Sequence, residues 1–382
     1  AILVPTMFIN GILVAINLGW KPHAISYGTI AYGISSIPLA LFLIYYLNFG
    51  VTGIIISVFL ANMISIIILF YYAKEKITNQ LNKTFLKKWL KFSWIPIYPG
   101  IAILVAGFDI SIFTIITGSV IGLAFWTAAM VLPAMISHTG LISRAIYAKL
   151  LEEKTKEFMS ENLTLVFYFG ILLTSLVITF ARPGLYALNP IYEIVFPVAI
   201  ILSFEIFLSV FTNIFLLALA GIERVDKFEN STFKDYIKSK LFFPQTIRLI
   251  QTSIYVLILT VGLLILVGFG SSDQELLLFW ASIALVTQIP LVCILYYLVQ
   301  KNIMIKLEIP SIVKFVLTAI GVFGFTYVLT TQFLVYSPDI VSFIPNVLMF
   351  ASFGIGLYII ITYLIDNKIR NLVHAVIYEI KT

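Results

Sequence analysis

The sequence is poor in charge, cysteine and histidine. Only 11% of its 382 residues are Asp, Glu, Lys or Arg, against ~25% in an ordinary soluble domain, so the chain cannot clothe a water-soluble surface. Hydrophobic residues make up 61% of it and the mean hydropathy is +1.06, a composition that only lipid accommodates as solvent. A soluble single-domain enzyme, a nucleic-acid binder and a secreted disulfide scaffold are excluded. Cys293 is the only cysteine, so no intramolecular disulfide and no cysteine-based metal cluster can form, and its apolar surroundings make it a small packing residue. His23, His138 and His374 lack partners at metal-ligand spacing, so neither metal nor cofactor is expected. No phosphate-cradling P-loop is present; any transport draws on an ion gradient, the substrate's own gradient or a partner. No basic n-region or cleavage site precedes the first apolar run. The first apolar run is therefore not a signal peptide, and the chain reads as a fragment or trimmed chain whose true N-terminus is missing.

What is abundant is long apolar runs. Eleven of them separate at polar breaks: 2–19, 28–48, 51–73, 90–108, 111–135, 163–181, 191–221, 249–270, 275–299, 311–333 and 343–365. Each approaches the roughly 20 residues that a helix needs to cross a bilayer, and no alternating pattern points to a membrane barrel. The expected fold is all-α, a polytopic membrane bundle of about eleven helices.

Lys and Arg then orient the chain. Of 24 such residues, 23 fall in alternate breaks and only Arg182 falls on the other side. Basic loops stay in the cytoplasm, which puts Ala1 outside and Thr382 inside. That parity implies an odd number of missing spans, and three would make fourteen. The Asn-x-Ser/Thr matches at Asn82, Asn162 and Asn230 fall in predicted cytoplasmic loops, so they are chance matches. Residues 137–162 and 222–248 mix both signs and read as connectors or surface helices drawn to the headgroups.

With lipid as solvent, polar groups inside spans carry the information. Glu205 lies mid-run, ~14 residues and so ~20 Å from either end, with Ser209 and Asn213 following at steps of four. The stripe is either a proton or cation site coupled to substrate movement, or a protonated carboxyl bonding a neighbouring helix. Asp109 sits at the junction of the fourth and fifth runs, as a coupling carboxylate or as the N-cap of the next helix. Glu193 opens the seventh run at the outer interface. Arg144, near His138, either meets a phosphate at the inner mouth or anchors the inner side. Asn10 and Asn17, with Thr6, and Asn62, with Ser65, either cement helices or line a cavity. Thr114, Gly118 and Gly122 form a small-residue face for helix packing. Pro96, Pro99 and Gly100 should bend or partly unwind the fourth run, a hinge of the kind found in transporters.

Several short stretches resemble a known family. Leu47-Asn48-Phe49-Gly50-Val51-Thr52-Gly53 followed by Ile54-Ile55-Ile56-Ser57 resembles the "fGvxGaaia" helix junction of polysaccharide and oligosaccharidyl-lipid exporters. These belong to the multidrug/oligosaccharidyl-lipid/polysaccharide superfamily. Gly19-Trp20-Lys21-Pro22 resembles that family's "gkp" turn, and Lys88-Trp89-Leu90-Lys91-Phe92-Ser93-Trp94-Ile95-Pro96 its "lkfslP". Asp109, Gly118 and Gly122 before Ala124-Phe125-Trp126-Thr127-Ala128-Ala129 resemble "D…g…lGxYxxa", with Phe125-Trp126 where Tyr usually stands.

The resemblance implies a two-lobed transporter of fourteen helices in the plasma membrane. In that frame 1–73 is the rest of an N-terminal lobe, 74–89 a cytoplasmic basic linker, 90–270 a C-terminal lobe and 271–382 the final helices and tail. It implies a flippase for a lipid-linked glycan, with the bilayer and glycan-assembly enzymes as partners. A cationic cavity residue usually meets the phosphate in this family, and no span here contains Lys or Arg, so that residue either lies on the missing helices or is Arg144 at the inner mouth. A cation-coupled multidrug exporter shares the fold and would use Glu205 or Asp109. A glycan polymerase or glycosyltransferase would need a large outer loop, and those breaks are about ten residues or shorter.

Overall fold

The computed structural model describes residues 3–77, 83–92, 94–145, 156–223, 225, 233–337 and 339–381. Asn82 and Asn230, and much of the connectors at 137–162 and 222–248, lie outside the described residues. Ten helices are long and apolar enough to cross a membrane, or eleven if one bent pair counts as a single span. The chain is a multi-pass, all-helical membrane protein that divides into two compact units, Ala1–Lys91 and Phe92–Thr382.

The first unit holds α1 (Leu3–Trp20), α2 (Pro22–Leu41), α3 (Gly50–Ala73) and the amphipathic α4 (Lys83–Phe92). Helices α1 and α2 both pack on α3. Gly28 lets α2 approach closely, since a Cβ there would stand 3.1 Å from Ser65 Oγ and Leu69 Cγ. Asn17, fully buried, donates to the carbonyls of Leu13 and Leu69 at 2.9 Å, and Asn10 donates to Asn62 at 3.3 Å. These amides join α1 to α3. The expectation that Asn10, Asn17 and Asn62 line a cavity gives way to the cementing role, because an apolar solvent leaves such groups only each other and nearby carbonyls. A left-handed turn at Asn48 and Gly50 (φ 52° and 51°) ends a π-helical stretch, Phe42–Tyr46, and starts α3.

In the second unit the fourth and fifth runs divide elsewhere than expected. Helices α5 (Trp94–Ala106) and α6 (Phe108–Thr117) form one span, Ile97–Thr117. The chain reverses at Gly118, left-handed with φ 65°, and Ser119, whose Oγ caps the next helix by accepting from Gly122 N at 2.8 Å. Asp109 is thus inside a span and not in an outer loop. Gly118 is a cap; only Gly122 serves close packing. Helix α5 continues through Pro96, Pro99 and Gly100, and the interruption falls at Gly107. Helix α7 (Val120–Val131) then bends by 45° into a 3-10 segment, Pro133–Ala145.

Next come α8 (Lys156–Leu188), α9 (Phe196–Gly221, entered by the 3-10 turn Pro190–Val195), the short α10 (Phe233–Lys238) and α11 (Phe243–Gly268). The chain ends with α12 (Asp273–Ile303), α13 (Ile309–Phe333), α14 (Ile340–Ile365) and α15 (Asn367–Lys381). Helix α9 is the central post and packs against α8, α12 and the Pro133–Ala145 segment. Its buried residues include Val198, Leu202, Ile206, Val210 and Ile214. One aromatic stack locks α6, α7 and α12: Trp280 lies between Trp126 (3.8 Å, 5°) and Phe113 (4.9 Å, 26°). Asn162 is buried and accepts from Ser143 at 3.1 Å. Cys293, expected to pack internally, is exposed on α12, where an apolar thiol suits a lipid-facing surface.

Candidate functional site: a polar cavity in the helix bundle

Helix periodicity builds a polar seam on α11. Arg248, Gln251, Thr252 and Tyr255 follow at steps of three, four and seven, so they share one face, and all four line a cavity of about 210 Å³. Helix α9 contributes Glu205, Ser209 and Thr212; α12 contributes Thr287 and Gln288; α6 contributes Asp109; and α7 contributes Trp126. These polar groups share the wall with Ala106, Met130, Leu202, Ala284 and Leu291.

Most of those groups are tied to one another. Trp280 Nε1 donates to Tyr255 Oη at 2.7 Å, and Tyr255 donates in turn to Asp109 Oδ2 at 2.9 Å. The amide of Ile110 donates to the other carboxylate oxygen at 2.6 Å. Gln288 donates to Thr212 at 2.8 Å and Gln251 to Thr287 at 3.3 Å. Glu205 and Arg248 differ. Both are half-buried, and no hydrogen bond or ion pair joins either to another described side chain. A carboxyl and a guanidinium that line a polar cavity without a side-chain partner are satisfied there by water or by a polar ligand.

The structure brings Glu205, Ser209 and Asp109 together and leaves out other candidates. Asn213 is exposed and does not line the cavity. Each step of four on a helix drifts by about 40°, so Asn213 has rotated roughly 80° from Glu205, whereas Thr212 has rotated only about 20° the other way. Arg144 belongs to the Pro133–Ala145 segment, and its side chain lies outside the described residues. Glu193 pairs with Arg182, which neutralises the one basic residue that broke the charge alternation.

Arg248 is the residue that the sequence reading misplaced. Counted with the basic break at 222–248, it instead lies in the second turn of α11, which starts at Phe243. Pro244 at the first helical positions was the available signal, because proline favours a helix start. The polar seam at 248, 251, 252 and 255 was another.

Compared with protein-family models, with curated proteins and with solved structures, the chain matches none.

Proposed function

We propose that this chain is a transmembrane flippase or exporter that moves a lipid-linked oligosaccharide or polysaccharide precursor by alternating access. One observation carries this reading: the Arg248 guanidinium and the Glu205 carboxyl, both without a side-chain partner among the described residues, face one membrane-embedded polar cavity. A planar guanidinium suits a phosphate or diphosphate. Glu205 and Asp109 suit hydroxyl-rich sugars or a coupling cation. The volume of about 210 Å³ is below the ~300–1,000 Å³ of ordinary ligand pockets, so this conformation takes a phosphate or one sugar, and a larger glycan enters only as the helices part. Sugar and phosphate occupy the cavity in this reading, the lipid tail stays in the bilayer, and the chain sits in the plasma membrane with Thr382 in the cytoplasm. The two-lobed arrangement of the exporter superfamily belongs to the same proposal.

A second reading rests on the charge count. Two carboxylates against one guanidinium favour cations, so a cation-coupled drug exporter would use the same cavity with Glu205 or Asp109 as its ligand.

The test is reconstitution of the full-length protein in liposomes, following transbilayer movement of a short polyprenyl-diphosphate sugar. Protein-dependent flipping that drops at least tenfold in both Arg248→Gln and Glu205→Gln supports the proposal. Absence of flipping together with ion-driven uptake of a cationic dye transfers the assignment to the drug exporter.

A further inference from the structure

The basic end of the first unit gathers five rings and three ammonium groups from separate elements. Asn17 pins the last turn of α1 to the last turn of α3 through Leu69 O, so Trp20 and Tyr72, each three residues further on, come to the same level. The close approach of α2 at Gly28 brings His23 and Tyr27 beside them: His23 lies 5.8 Å from both Tyr27 and Tyr72, edge to face. Lys76 Nζ stands 3.8 Å from the centroid of Trp20, and Lys21 Nζ stands 5.9 Å from that ring and 5.8 Å from Tyr72. Lys74 Nζ covers Tyr71 at 4.6 Å. Among the described residues Glu75 is the one carboxylate paired within the cluster, 3.9 Å from Lys21.

Ammonium groups converging on one indole repel one another unless an anion joins them. With Glu75 alone to oppose three lysines, the cluster keeps an excess of positive charge. It lies where three spans end, with Trp20, Tyr27 and Tyr71 exposed to the surroundings. Such a combination of amphipathic rings and lysines stands at the level of lipid headgroups. We infer that Trp20, Lys21, Tyr72 and Lys76 form a binding site for the phosphate headgroup of an anionic phospholipid. The ligand chemistry is a phosphate anion and its source is the bilayer.

The experiment is native mass spectrometry of the purified full chain with phosphatidylglycerol, phosphatidylcholine or inorganic phosphate as the probe. The expected result is preferential retention of phosphatidylglycerol, weakened roughly fivefold per lysine removed in Lys21→Gln/Lys76→Gln. Lys83→Gln/Lys87→Gln, which removes two exposed charges from α4, should leave retention unchanged. The single Lys76→Gln, at an exposed position, gives the same reading with no packing disturbed, and Lys21→Arg/Lys76→Arg should restore retention. Equal retention of the two lipids, equal loss in both lysine pairs, or displacement of phosphatidylglycerol by millimolar inorganic phosphate would each overturn the inference.

Discussion

Replacing Tyr255 by Phe removes a single oxygen that holds two helices to α11. That oxygen accepts from Trp280 Nε1 at 2.7 Å and donates to Asp109 at 2.9 Å. Trp280 is fully enclosed and stacked against Trp126 and Phe113, so its indole cannot swing to another acceptor. A buried donor left without a partner costs about 1–3 kcal/mol, and a hydrogen bond to a charged group contributes about 1.5–3 kcal/mol. Interhelical bonds measured within membranes average nearer ~0.6 kcal/mol, because the unfolded chain in lipid finds other partners. Asp109 also keeps the Ile110 amide. Balancing these, Tyr255→Phe should destabilise the protein by roughly 1.5–4 kcal/mol. The assay is reversible unfolding in mixed micelles titrated with sodium dodecyl sulfate, followed by circular dichroism. A double-mutant cycle with Asp109→Asn should return a coupling of about 1 kcal/mol. A loss for Tyr255→Phe under about 0.5 kcal/mol, or independence of the two changes, would refute the idea that this string joins α6, α11 and α12.

Gly122→Ala should cost about 1–3 kcal/mol in the same titration, because the new methyl would lie 2.9 Å from Phe113 Cζ and that ring is fully buried against Trp280. Gly33→Ala, with nothing within 4 Å, is the control that should show no such loss. Asp366 lies just beyond the end of α14. Burial alone would raise its carboxyl, but Ser311 Oγ, the amides of Ile369 and Lys368, and Lys314 together bring it below the usual carboxylate range. Its folded-state pKa is therefore lower than its unfolded one. The stabilisation is complete above the unfolded value near 4 and disappears as pH falls through the folded value. Thermal unfolding from pH 7 down to pH 3 should show a steeper acid loss in the wild type than in Asp366→Asn, and parallel curves would contradict that role.

The spans were legible because hydropathy alone marks them, and Glu205 because a lone carboxyl in the middle of an apolar run has no bland surface to occupy. Asp109 was legible as a residue but not as a location. A carboxylate between two apolar runs looks like a break, whereas the actual reversal at Gly118-Ser119 is made by a left-handed glycine and a serine cap, which interrupt hydropathy far less. Arg248 was hidden for the converse reason. It follows a run of lysines, so composition assigned it to a loop, while its own helix had already begun at Phe243. Asn213 misled through spacing, since a strict step of four drifts around the helix and Thr212 takes its place in the cavity wall. The bonds that assemble the site, Trp280 to Tyr255 to Asp109 and Gln288 to Thr212, join residues 25 to 146 positions apart. No periodicity along one helix encodes such pairings.

The claim that this cavity is wet and receives the substrate is tested most directly at Ser209, half-buried in its wall. In a Cys293→Ser background these 382 residues carry no thiol, and Ser209→Cys then places one inside the cavity. The account predicts that a water-soluble maleimide labels this position in membranes and that a polyprenyl-diphosphate sugar slows the labelling. Labelling at Asn213→Cys, outside the wall, should not respond to that sugar. A thiol at 209 that stays unreactive, or reacts at the same rate with and without the sugar, would contradict the account.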